Sequence, residues 1–245
     1  TDAKYVLGAQ SNVWTEYMKN TKKVEYMILP RMAALSEVLW STKESRDWKD
    51  FEPRLMTQFK RYEQWKVNYS KAYFDLRSTV MPLPDNNGIV WKLESRKTGI
   101  SIQYKKVLDS SDYLNPPAFY SYNMPVQIVK TGTYQAWAVE NGYRPGNAIT
   151  QKFILSKSTG KKVSLSGEAS KNYPGDGPFT LVNGIQNEKG MSRTKEFLGF
   201  NGTDCIATID MGKEEIISFV KLHYLHHPGS WIHQPSSVIV SVSTD

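Results

Sequence analysis

The reading turns on residues 5–41: Tyr5-Val6-Leu7-Gly8-Ala9-Gln10-Ser11-Asn12-Val13-Trp14-Thr15-Glu16-Tyr17, then Val24-Glu25-Tyr26-Met27, then Pro30-Arg31-Met32-Ala33-Ala34-Leu35-Ser36-Glu37-Val38-Leu39-Trp40-Ser41. Tyr5 to Gln10 is a brief apolar run punctuated by glycine, which predicts a buried strand leading into a loop over 11–17. Val24, Met27, Ile28, Met32, Leu35, Val38 and Leu39 recur at helical spacing. Pro30 interrupts that stripe, and proline is tolerated best in the first turn of a helix. The pattern therefore predicts a short helix at 23–29 and a main helix at 30–40. Strand, loop and helix in that order make one β/α unit.

Outward from this stretch, Trp48, Phe51, Leu55, Phe59, Tyr62, Trp65 and Tyr69 step by threes and fours, a longer amphipathic helix with Asp47 as its N-cap. Met81-Pro82-Leu83-Pro84-Asp85-Asn86-Asn87-Gly88 reads as a linker, since Pro and Asn-Gly punctuate structure. Short β-rich runs at 100–104, 126–129, 132–139 and 151–155 then predict a small antiparallel sandwich. Tyr134 and Trp137, flanking Ala136, read as core or interface packing. Ser156-Lys157-Ser158-Thr159-Gly160-Lys161-Lys162 reads as a second polar linker. Beyond it, runs at 206–211, 216–225 and 238–242 predict another β unit. With so few strands it would expose an unpaired edge, so it is expected to be truncated.

Composition narrows the function classes. The chain has 245 residues, of which 40% are hydrophobic and 12% aromatic, enough for packed cores. Its net charge of +7 is scattered, with no basic run longer than two residues, which reads as a solvated surface rather than a nucleic-acid face. Cys205 is the single cysteine, excluding an intrachain disulfide and a Cys-based zinc site. No apolar stretch is long enough to cross a bilayer. The chain opens at Thr1 without a leader pattern and reads as an internal piece of a longer protein. All four histidines lie between His223 and His233. On a strand His223 and His227 face one side and His226 the other, so no metal site is expected. Asp176 and Asn183 are too few ligands for calcium, and Asn201-Gly202-Thr203 matches the short glycosylation pattern.

The opening stretch resembles the last β/α unit of the family 20 glycoside hydrolase barrel: a strand ending in G-x-Q-x-x-x-W-x-E, then a helix reading P-R-x-x-A-x-x-E-x-x-W. That resemblance implies a parent β-N-acetylhexosaminidase of the chitobiase type, which removes terminal N-acetylhexosamine from glycans or chito-oligosaccharides. It implies substrate-assisted retaining hydrolysis with no cofactor: the 2-acetamido oxygen attacks the anomeric carbon, a Glu is general acid, and the preceding Asp orients the acetamido group. The Asp-Glu pair lies earlier in the family's barrel, so this chain is expected to hold no catalytic residue and to be inactive alone. Its adjacent acids Glu214-Glu215 fall at a predicted turn and read as solvated surface. The resemblance also implies that Trp14 walls the sugar pocket and Glu16 accepts hydrogen bonds from the outer hydroxyls. An indole packs flat on a pyranose, and a carboxylate strengthens such bonds. Arg31 and Glu37 match the pattern too, but as helix anchors. A periplasmic, cell-surface or secreted location is implied likewise.

Residues 88–156 resemble the fibronectin-III-like sandwich behind such barrels, through Ser101-Ile102-Gln103-Tyr104, residues 120–125 and Gly132-Thr133-Tyr134-Gln135-Ala136. Residues 161–245 resemble a partial discoidin domain of the coagulation factor 5/8 type. The matching residues are Leu181-Val182-Asn183-Gly184, Phe197-Leu198-Gly199-Phe200, Ala207-Thr208-Ile209-Asp210 and Trp231-Ile232-His233-Gln234-Pro235. Many such domains bind carbohydrate, which makes His226, Trp231 and His233 candidate sugar contacts. The expected fold is thus multidomain α+β: the end of an incomplete TIM barrel over 1–80, then two sandwiches. N-acetylhexosamine glycans are the expected partners, nucleic acid is not, and the unpartnered barrel-end helices predict a homodimer contact. The alternative is a non-catalytic carbohydrate-binding or spacer protein that carries a barrel remnant.

Overall fold

The computed structural model describes residues 5–107, 118–186 and 196–243. Its elements are helices and antiparallel sheets, a mixed α+β chain, divided into two compact units, Thr1–Tyr73 and Phe74–Asp245.

The first unit holds α1 (Thr21–Ile28), α2 (Arg31–Trp40) and α3 (Trp48–Gln64). Asn20 caps α1, its side chain accepting from Lys23 N at 2.9 Å. The helix stops at Leu29, whose extended backbone is what a following proline imposes. Asp47 caps α3 as expected, accepting from Lys49 N at 2.6 Å. Pro53 lies inside α3 and removes one backbone hydrogen bond. Burial of Leu55, Phe59 and Tyr62 on one face, each contributing about 1.5–3 kcal/mol, offsets that loss. The chain reverses at Lys66, in the left-handed region at φ 55°, and brings Tyr69 back onto the helix. Its ring stacks on Phe59 at 5.1 Å and meets Tyr62 at 5.3 Å. Three hydrogen bonds tie this return segment to α1: Asn68 N to Glu25 Oε2 at 2.7 Å, Asn68 Nδ2 to Lys22 O at 2.8 Å, and Ser70 N to Leu29 O at 2.9 Å.

One expectation fails here. Residues 6–15 form no strand, so the expected β/α unit is not formed among the described residues. A strand needs a hydrogen-bonded neighbour, and no second strand exists among the described residues of this unit.

In the second unit β1 (Arg77–Pro82), β2 (Ile89–Glu94) and β5 (Val126–Ile128) form a three-stranded antiparallel sheet in the order β1-β2-β5. A four-stranded sheet runs β4-β3-β6-β7, from β3 (Ser101–Lys106), β4 (Tyr120–Ser121), β6 (Gly132–Val139) and β7 (Ile149–Phe153). Alternation along β2 and β6 aims Ile89, Trp91, Leu93, Tyr134, Ala136 and Ala138 into one core shared by both sheets. Ile89, Trp91 and Phe153 are 0% exposed. The rings of Trp91, Tyr134 and Phe153 meet edge to face at 5.6–6.4 Å, a favoured aromatic geometry.

Both expected linkers are corrected. Residues 81–88 are the end of β1 and a hairpin turn, with Pro82 paired to Ile89 and Leu83 N bonded to Gly88 O at 2.9 Å. Pro and Asn-Gly mark a reversal, and a reversal between paired strands is a turn. Residues 156–162 are likewise a folded turn. Thr159 is buried and Gly160 N donates to Val182 O at 2.8 Å.

β8 (Lys162–Leu165) pairs antiparallel with β10 (Ala207–Asp210), and β9 (Gly175–Pro178) leads into a 3-10 turn, Phe179–Val182. Phe179 and Ile185 pack on the two-sheet core. The strands expected at 216–225 and 238–242 are absent. Ile216, Phe219, Val220, Ile239 and Val242 are exposed, and no ladder partner lies beside them among the described residues.

Candidate functional site

The loop after residue 10 holds the two residues expected at a sugar pocket. Trp14 is 71% exposed and Glu16 is exposed as well. A turn closed by Met18 N to Thr15 O at 2.9 Å sets the chain direction between them and α1. Glu16 has no hydrogen bond or ion pair with a described residue, so its carboxylate oxygens face water.

Behind this loop the other residues of the motif anchor helices. Arg31 Nη1 donates to Met27 O at 2.7 Å and Tyr26 O at 3.2 Å, satisfying carbonyls at the end of α1. Glu37 pairs with Arg54 of α3 at 2.5 Å. Tyr69 donates to Glu63 at 3.0 Å; burial, reinforced by that carboxylate, pushes its hydroxyl pKa well above the ordinary value.

In the second unit the structure unites two of the three candidate sugar contacts. His227 and Ile232 form an isolated bridge, with N···O distances of 2.9 and 3.2 Å, across the turn Pro228–Ser230. The His226 and His233 rings flank this neck at 6.4 Å. Trp231 stands at the tip, 89% exposed, in the left-handed region at φ 58°. His223 lies elsewhere, stacked on Phe197 at 5.6 Å. Among the described residues no three His, Cys, Asp or Glu side chains converge as a metal site would need. Asn183 is buried and accepts from Ile185 N at 2.8 Å, a structural role.

Glu215 is an ion-pair hub, bonded to Lys157 at 2.9 Å and Lys213 at 3.1 Å. Lys157 first and Lys213 second hold its carboxyl below the usual range. Glu215 is therefore engaged on the surface as an anion rather than held as a proton donor.

With this geometry in hand, comparison with known proteins decides the relationship. Residues 1–43 match the glycosyl hydrolase family 20 catalytic domain. The chain resembles the family 20 β-N-acetylhexosaminidases. A beta-hexosaminidase of Porphyromonas gingivalis (strain ATCC BAA-308 / W83) is 27% identical over 145 residues, 57% of this chain and 17% of that protein. A beta-N-acetylhexosaminidase of Cellulomonas fimi is 42% identical over 50 residues, 20% of this chain and 10% of its own length. The chain thus spans under a fifth of either relative, and it is related to glycoside hydrolases. Trp14, Glu16, Arg31 and Glu37 all lie within the matched residues. No helix among the described residues is long and apolar enough to cross a membrane.

A second cluster escaped the sequence reading. Phe119, Trp137, Lys105 and Arg144 meet on the outward face of the four-stranded sheet. Only the strand alternation placing Tyr134 inward and Trp137 outward hinted at it.

Proposed function

We propose that this chain is part of a β-N-acetylhexosaminidase, in which Trp14 and Glu16 form one wall of the pocket for the terminal N-acetylhexosamine. The match of residues 1–43 to the family 20 catalytic domain carries this reading. The free carboxylate of Glu16 and the open indole of Trp14 support it, since both are available to a ligand. Glu16 would accept hydrogen bonds from ring hydroxyls, and Trp14 would cover the apolar sugar face. The parent would use the substrate's own acetamido oxygen as nucleophile, with an Asp-Glu pair outside this chain. The sequence contains no Asp-Glu dipeptide, so the chain alone is expected not to hydrolyse aryl N-acetyl-β-glucosaminides. In the parent enzyme Glu16→Gln would lower kcat/KM by about tenfold, the cost of leaving sugar hydroxyls poorly paired. Turnover by the pure chain, or an unchanged kcat/KM in that variant, overturns the reading.

The Trp231 loop is proposed as a secondary glycan contact, with His226 and His233 bracing its neck. Exposure of an indole at the tip of a closed turn supports this. The exposed apolar residues Met32, Val38, Leu39 and Trp40 of α2 favour a homodimer contact in the isolated chain. Light scattering should find a dimer that Leu39→Glu converts to monomer.

A further inference from the structure

The outward face of the four-stranded sheet gathers two cations over one pair of rings. Phe119 and Trp137 lie 5.9 Å apart. The Arg144 guanidinium sits 4.3 Å from the Trp137 ring centre and 4.6 Å from that of Phe119. Lys105 Nζ lies over the same rings, at 5.6 and 5.2 Å. Each contact is a cation–π attraction, and together they hold two like charges against one pair of rings. Four lysines of this unit answer a carboxylate: Lys92 pairs with Glu94, Lys97 with Glu140, and Lys157 and Lys213 with Glu215. Neither Lys105 nor Arg144 has a carboxylate partner among the described residues, and no strand of this sheet contains Asp or Glu. Gln103 stands opposite Trp137 and Gln135 opposite Lys105, and Gln135 Nε2 reaches Thr150 Oγ1 at 3.3 Å. The result is a sheet face with aromatic, amide and hydroxyl groups and a pair of cations that no carboxylate among the described residues answers.

We propose that this face binds a sulfated glycan. A sulfate ester offers three terminal oxygens, two for the guanidinium fork and one for the ammonium. A carboxylate has two oxygens, so fork and ammonium would have to share one of them, whereas a sulfate gives each its own. A neutral chito-oligosaccharide gains nothing from either charge. Single-stranded nucleic acid needs open ring faces for its bases, and here the cations already cover those faces. The amide and hydroxyl side chains are suited to sugar hydroxyls beside the sulfate. The proposal is independent of the role given to Trp14 and Glu16.

Calorimetry on the whole chain tests it, with four ligands: a sulfated heparin tetrasaccharide, an unsulfated hyaluronan tetrasaccharide, chitotetraose and a thymidine oligonucleotide of matched charge. The sulfated tetrasaccharide is expected to bind best and to shift the Trp137 indole N–H resonance. The double variant Lys105→Gln with Arg144→Gln keeps the aliphatic stems and should fold, which a thermal melt checks. It should weaken binding by about tenfold or more, as loss of charge-assisted hydrogen bonds requires. Neutralising Lys92 of β2 and Lys162 of β8, cations on strands of the other two sheets, should leave binding unchanged. Three results overturn the proposal: no binding of the sulfated tetrasaccharide, equal losses in the control variant, or equal affinity for the oligonucleotide through Lys105 and Arg144.

Discussion

Ile89-Val90-Trp91-Lys92-Leu93 and Val238-Ile239-Val240-Ser241-Val242 have the same strand-like composition, yet only the first is a strand. β2 has a ladder on both sides, pairing β1 through Pro82↔Ile89 and β5 through Ile89↔Ile128. Its inward side chains meet a second sheet. Residues 238–242 have neither neighbour nor opposing sheet among the described residues, and their side chains face solvent. β-propensity records how well a side chain suits a pleated, half-buried surface. Without that surface residues 238–242 form no ladder among the described residues.

The largest test of this contrast is Trp91→Ala. A fully buried aromatic that meets both Tyr134 and Phe153 is removed, at an expected cost of about 3–5 kcal/mol by denaturant titration. Phe219→Ala, at a residue 78% exposed, should change stability by no more than about 0.5 kcal/mol. Equal costs would break the comparison. Next comes Gly160→Ala, whose new Cβ would fall 2.0 Å from Gly88 O at a backbone φ of +79°. Overpacking of this kind costs about 1–3 kcal/mol, and the melt of the two-sheet core should report it. Asp47→Ala, in the first unit, should cost about 1 kcal/mol through the lost N-cap and reduce helical circular dichroism. The smallest effect is at Lys157, which pairs with Glu215 and donates to Ile216 O at 2.8 Å. Glu215 keeps its charge, and so its tether, above its ordinary value of 4.5, losing it only as pH falls through the lowered folded value. The Ile216 amide resonance should therefore move in acid, and Lys157→Ala should produce the moved position already at neutral pH.

Local signals were legible and pairings were not. Asp47 and the stripe from Trp48 to Tyr62 mark α3 because capping and helical period are short-range. β3, β5, β6 and β7 fall within two residues of the β-rich runs for the same reason. The turn at 83–88 was mistaken for a linker because Pro and Asn-Gly announce a change of direction without saying what pairs across it. The missing strand at 5–10 fails likewise, since a six-residue run cannot supply its own ladder. At the candidate pocket Trp14 and Glu16 were legible as part of an ordered motif. The Lys105, Phe119, Trp137 and Arg144 cluster was not, because β3–β6 pairing, not sequence proximity, brings it together.

The turn at 156–162 has a consequence for how this protein is divided in evolution or at the bench. Gly160 lies against Gly88, Ile154 N bonds Gly184 O at 2.8 Å, and Phe153 bridges Ile185. Residues up to 185 therefore belong to the same heritable piece as the two sheets. A gene-shuffling event, or a truncation, that took the polar run after residue 155 as a seam would strip Phe179, Val182 and Ile185 from the core and leave Ile89 and Phe153 wet. The polar run after residue 155 is thus a turn inside one inherited piece, and a boundary drawn there divides a folded core.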